Sequence, residues 1–222
     1  MAIKKQDFVE IEYTGKLKEE GMIFDTSDEK TAKDNGLYNK EHSYGAVKVM
    51  IGNSQVLPGL DRFMEGKEPG EYKVVLDPTE GFGKKNAKLL RLVPKNIFIK
   101  QQINPMPGLP INIDGADGVV KTVSGGRCMV DFNHPLSGKT LEYDLKINRI
   151  VTDEKEKVSA ILELQVKKEE FDLNLENGKI VITLKTKGFQ KPLKDLIEDM
   201  IKKFTKVKEV SWKETTTKEL KK

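Results

Sequence analysis

The chain has 222 residues, 37% of them hydrophobic and 33% charged, which excludes a disordered chain and leaves room for more than one compact unit. Its 39 basic and 35 acidic side chains nearly cancel, so nucleic acid is not the default partner. The single cysteine, Cys128, excludes an intrachain disulfide, and no apolar run has signal-peptide or membrane-spanning length, so a cytoplasmic protein without membrane contact is expected.

Residues 8–15 alternate apolar and polar side chains, the period of a half-buried strand, and residues 47–51 and 72–76 read as further strands. Between them Leu60, Phe63 and Met64 stand at helical i, i+3, i+4 spacing, so one short helix packed on a sheet is predicted. From Lys84 the texture changes. A Pro/Gly-rich stretch, 104–110, separates short alternating runs at 111–113, 118–123 and 127–132, which predicts a small β unit. Residues 140–147 restore a long regular strand, as though the first unit resumes. The charged link 152–157 then opens a helix through Ala160, Ile161 and Leu162. Two strands follow, 171–175 and 180–184, joined by the hairpin signal Asn177-Gly178. Leu193, Leu196, Ile197, Met200, Ile201 and Phe204 form a helical stripe before a closing strand at 207–212, giving an α-β-β-α-β order.

Few catalytic constellations can be assembled from these residues. His42 and His134 are far apart, and with one cysteine no common zinc spacing exists, so no metal and no cofactor are expected. Gly15, Gly21 and Gly59 lack the Lys-Ser/Thr ending of a phosphate loop and read as turn glycines. Both histidines read as structural or solvent-facing, and the Lys-rich end from Lys218 to Lys222 as a solvated terminus.

Four motifs nevertheless stand in a telling order: Tyr13-Thr14-Gly15, then Gly21-Met22-Ile23-Phe24-Asp25-Thr26-Ser27, then Val56-Leu57-Pro58-Gly59-Leu60-Asp61, then Gly81-Phe82-Gly83. In order and spacing they resemble the strand, edge, pocket-floor helix and aromatic turn of FKBP-type peptidyl-prolyl cis/trans isomerases. The later Asn133-His134-Pro135-Leu136-Ser137-Gly138 resembles the Asn-His-Pro-Leu-Ala-Gly stretch of SlyD-like members, whose flap carries an insert. The resemblance covers roughly residues 3–152. It implies an α+β chain: an FKBP half-barrel, an antiparallel sheet wrapped on a short helix, over 1–83 and 131–152. A small inserted β domain with a chaperone role would occupy 84–130, and the α-β-β-α-β module 153–222.

The resemblance carries the family's pocket onto Tyr13, Phe24, Asp25, Val56, Leu57, Leu60, Phe82 and Tyr143, with Val47 and Leu136 as further substrate-binding positions. Taken singly, Tyr13, Phe24 and Tyr143 read as core aromatics and Asp25 as a turn residue, and only the whole set points to a proline pocket. Three positions depart from the best-known single-domain members: Leu60 stands for a tryptophan, Phe82 for a tyrosine and Tyr143 for a phenylalanine. In the insert, Met106, Leu109, Ile111 and Ile113 read either as core or as an apolar surface for clients. The implied partners are unfolded or nascent proline-containing chains, and a second copy through the C-terminal module, as in related long archaeal members. A basic face of Lys202, Lys203, Lys206 and Lys208 would suit ribosomal RNA. The competing function is a holdase with a degenerate pocket.

Overall fold

In the computed structural model, which describes residues 1–185 and 189–214, three β-sheets each cover their own hydrophobic cluster. The Lys-rich end lies outside the described residues.

The first sheet is organised by β1 (Phe8–Leu17). On one of its edges lie β2 (Ile23–Thr26), against residues 14–16, and β3 (Val47–Met50), against residues 8–11. Between them a loop carries α1 (Glu29–Asp34), started by the Asp28 carboxylate accepting the Thr31 N–H at 2.7 Å. The other elements are α2 (Pro58–Met64), with proline in its first turn, β4 (Gly70–Leu76) and, after a long excursion, β9 (Leu141–Val151). The strand order is β2-β1-β9-β4, antiparallel throughout. Period two sorts the side chains. Val9, Ile11 and Leu17 of β1 face Leu141, Tyr143, Leu145 and Ile147 of β9, and Leu60 and Met64 of α2 close this core. The opposite face carries cross-strand charges, with Lys16 bridging Glu142 at 3.0 Å and Asp144 at 3.1 Å.

The excursion builds the second sheet from β5 (Leu90–Pro94), β6 (Pro110–Ile113), β7 (Ala116–Ser124) and β8 (Arg127–Asp131), in the order β5-β8-β7-β6. α3 (Lys95–Lys100) packs Phe98 into its core beside Val93, Ile111, Val120, Cys128 and Val130. Asp131 and Phe132 belong with this sheet and its cluster, so the return to the first sheet begins slightly later than the expected residue 131.

Two neighbouring segments link these sheets, and side chains clamp them together. Asn133 accepts the Asn86 N–H at 2.7 Å and donates to the Asn86 carbonyl at 3.1 Å. Its amide also donates to Asp131 Oδ1 at 2.7 Å, while Lys85 Nζ donates to Asp131 Oδ2 at 3.3 Å. Burial alone would raise the Asp131 pKa, but the bonds from Asn133 and the Lys85 ammonium outweigh it and hold the carboxyl below its usual range. Nearer the first sheet, Gly138 N–H donates to the Gly83 carbonyl at 2.8 Å.

The third sheet holds β10 (Phe171–Glu176), β11 (Lys179–Leu184) and β12 (Glu209–Glu214), with α4 (Glu154–Glu163) before it and α5 (Lys191–Phe204) crossing between β11 and the parallel β12. Asn177 and Gly178, at φ +50° and +76°, turn the β10–β11 hairpin. Its cluster does not stand apart. Phe8, Met50 and Val151, from the end of the first sheet, pack with Val158, Ile161, Leu162, Ile180 and Ile182. Arg149 seals the seam, reaching Glu10 at 2.9 Å and Glu156 at 2.8 Å.

Candidate active site

The site starts from a missing side chain. A Cβ on Gly15 would lie 2.8 Å from Tyr143 Cε1 and 2.9 Å from Phe24 Cζ, so two rings close over β1 where only glycine fits. Register brings them there, since Gly15 pairs with Asp25 on one side and with Tyr143 on the other. Phe24 then meets Tyr143 edge-on at 5.8 Å and 86°, and Phe82 at 6.1 Å and 80°. Tyr13 tilts against Tyr143 at 6.1 Å. Edge-to-face contacts of this kind favour a fixed aromatic wall over a fluid one.

Phe82 is aimed by a tight turn in which Gly83 N–H donates to the Pro78 carbonyl at 2.6 Å and Gly81 N–H to Asp77 at 3.1 Å. Leu60, 3% exposed, supplies the floor from α2. Val56 and Leu57 are half-buried just before that helix, and the Leu57 N–H makes no hydrogen bond among the described residues. Val47 and Leu136 pack against the same cluster. The structure therefore brings Tyr13, Phe24, Val47, Val56, Leu57, Leu60, Phe82, Leu136 and Tyr143 together in one hydrophobic cluster, with Asp25 exposed beside it.

Two residues join this wall that sequence reasoning passed over. The His134 ring stacks on Phe82 at 4.5 Å and 5°, and Ser137 Oγ donates to the Phe82 carbonyl at 3.0 Å. Both come from the returning link, so the wall is built where the excursion leaves and rejoins the first sheet. The Asn-His-Pro-Leu-Ser-Gly motif was the available signal.

The insert residues fall elsewhere. Ile111, at 8% exposure, lies in the second sheet's core, which removes it from any client surface. Leu109 and Ile113 are half-buried, and only Met106 is well exposed, at 55%. Leu90, Leu92 and Ile99 are exposed as well, and the sequence had not singled them out.

The cluster is apolar, and its polar edge is the Tyr13–Asp25 pair. Tyr13 Oη donates to Asp25 Oδ2 at 3.2 Å. Burial, then the Asp25 charge and that hydrogen bond, push the Tyr13 pKa up to about 12. Burial, with Asp25 and Tyr13 nearby, raises Tyr143 too, so both hydroxyls remain proton donors at neutral pH. Among the described residues no cluster of His, Cys, Asp or Glu is placed to hold a metal. A cleft of about 770 Å³ opens along Glu12, Tyr13, Thr14, Lys73, Asp144 and Lys146. Its charges largely pair with one another, Lys73 with Asp144 and Lys146 with Glu12.

Sequence comparison decides the family. The family described as "FKBP-type peptidyl-prolyl cis-trans isomerase" matches residues 1–104, and one described as "FKBP26, IF domain" matches residues 91–136. A short-type peptidyl-prolyl cis-trans isomerase of Methanocaldococcus jannaschii is 32% identical over 155 residues, 69% of this chain and 98% of that protein. The chain belongs to the FKBP-type peptidyl-prolyl cis-trans isomerases. The SlyD isomerase of Treponema pallidum is 28% identical over 174 residues, 73% of this chain and 86% of its own. SlyD of Haemophilus influenzae is 25% identical over 135 residues, 58% of this chain and 70% of its own. The isomerase is thus SlyD-like. Among its described residues no helix is long and apolar enough to cross a membrane.

Proposed function

We propose that the aromatic wall borders a hollow in which the isomerase turns Xaa-Pro bonds, and that its clients are unfolded or partly folded chains held by the second sheet. The observation that carries this is the closure of Phe24 and Tyr143 over Gly15, with Phe82 edge-on to Phe24 and Leu60 buried in the same cluster.

An Xaa-Pro amide resists rotation by ~20 kcal/mol because its C–N bond has double-bond character. Twisting breaks the resonance and removes charge separation, so the twisted amide is less polar than the planar one. Walls without charge therefore favour the twisted form relative to water. No nucleophile and no proton transfer are needed. A thousandfold acceleration requires about 4 kcal/mol of differential binding. On this reading the proline ring sits between Phe24, Phe82, Val56 and Leu60, the free Leu57 N–H takes a substrate carbonyl, and Tyr13 holds Asp25 in place at the rim.

On this reading the isomerase domain, the insert and the C-terminal module each take one of the three sheets. The insert serves as chaperone. Leu92 at 57% and Ile99 at 60% exposure, with Met106, offer adaptable apolar contacts to extended segments. Held there, a client presents its prolines to the hollow at raised local concentration. Leu196, exposed on α5, marks where a second copy would pack. The protein works in the cytoplasm, where buried Cys128 stays a thiol. The test uses a protein whose refolding is limited by one Xaa-Pro bond. Asp25→Ala is expected to slow catalysed refolding about tenfold, by releasing the Tyr13 hydroxyl and the rim, while suppression of aggregation persists. Unchanged refolding would remove Asp25 from the site, and loss of both activities together would contradict the division of labour.

A further inference from the structure

Tyr143 carries the hollow's one unassigned side-chain donor on the wall formed by β1, β2 and β9. Its ring is fixed on three sides, by Gly15 beneath it and by Phe24 and Tyr13. Only 3% of the residue is exposed, and its hydroxyl makes no hydrogen bond among the described residues. Glu156 Oε2, which faces the Arg149 guanidinium at 2.8 Å, is the one side-chain polar atom among them that is sealed from water without a hydrogen bond, so the Tyr143 hydroxyl is not sealed. What remains open of this residue includes its polar tip.

The donor inventory narrows the hydroxyl's task. The Tyr13 proton is committed to Asp25, and a carboxylate can only accept. Phe82, edge-on to Phe24, has no hydroxyl. A substrate amide oxygen entering along this wall therefore meets a single free side-chain donor, Tyr143. We propose that the Tyr143 hydroxyl donates a hydrogen bond to the carbonyl oxygen of the residue preceding the substrate proline, in place of one from water, and so anchors the substrate on this wall, while the apolar walls favour the turning of the C–N bond. This rests on the hollow being the prolyl site, and it adds a substrate contact from β9. The raised Tyr143 pKa, caused first by burial, keeps the donor protonated across the working range.

Tyr143→Phe deletes the hydroxyl and keeps the ring that Phe24 and Tyr13 pack against, so thermal stability serves as the control for folding. In a protease-free isomerisation assay with a short Xaa-Pro peptide, kcat/KM is expected to fall about 3- to 10-fold, the range a single hydrogen bond spans. The same variant is then compared on the peptide whose pre-proline carbonyl oxygen is replaced by sulfur, a poorer acceptor. There its loss is expected to shrink to less than twofold, an outcome a purely structural role of the hydroxyl does not produce. An unchanged rate on the oxygen peptide, or equal losses on both peptides, overturns the assignment. Phe24→Ala run alongside separates the two levels. If it is impaired while Tyr143→Phe is not, the prolyl hollow stands and the hydroxyl's role falls. If neither is impaired, both readings fall.

Discussion

Phe24→Ala is expected to reduce kcat/KM for a short prolyl peptide about 100-fold while leaving the fold intact. Phe24 is half-buried, and it is the ring that touches both Phe82 and Tyr143. Each edge-to-face contact is worth about 0.5–1.5 kcal/mol beyond area burial, and a half-buried Phe face contributes about 1–1.5 kcal/mol more. A proline ring loses its wall along with the support of the two neighbours. Roughly 2.7 kcal/mol of lost transition-state binding corresponds to the stated factor. The strands beneath do not depend on Phe24, because Val9, Ile11, Leu141 and Leu145 form their core without it. Circular dichroism and a thermal melt check the fold, and the protease-free assay checks the rate. A variant that folds and retains wild-type catalysis is incompatible with the site.

Replacing residues 87–131 by a short glycine linker is expected to divide the substrates. The hollow survives this change, since Phe82, His134, Ser137 and the Gly83–Gly138 backbone bond lie outside the excised segment. A short peptide should therefore be turned over within a few-fold of the intact rate. A protein client loses the apolar surface at Leu92, Ile99 and Met106, and with it the tethering that raises proline concentration at the hollow. Tethering of this kind is worth on the order of 100-fold. Catalysed refolding of a proline-limited protein should fall by about that factor, and suppression of aggregation should vanish. Equal losses on peptide and protein would mean that the insert shapes the hollow itself, through the Asn133–Asn86 and Lys85–Asp131 clamp.

What the sequence disclosed, and what it withheld, follows the range of the interactions involved. Alternation along 8–15 is a local signal, and β1 carries it into an inner apolar and an outer charged face. Asn177-Gly178 and the stripe from Leu193 to Phe204 are local too, and they stand at the β10–β11 turn and on α5. α3 was not legible. Its Ile97-Phe98-Ile99 run is too short for a period to separate helix from strand. The burial of Ile111 depends on its register opposite Gly118, where the Phe132 ring fills the space a side chain would occupy. The packing of Phe8, Met50 and Val151 under the C-terminal elements likewise depends on which residues end up opposite one another. For the site, the family's motifs placed the aromatic residues. The stack of His134 on Phe82 joins positions on either side of the whole excursion, and no spacing rule announces such a contact.

The most direct measurement is an NMR spectrum of the full chain with a bound Xaa-Pro peptide, reading contacts from the proline ring hydrogens. If the hollow is the prolyl site, contacts to the rings of Phe24, Phe82 and Tyr143 and to the methyls of Leu60 are expected. Proline contacts confined to the charged cleft of Glu12, Lys73, Asp144 and Lys146, or to the second sheet alone, would contradict it.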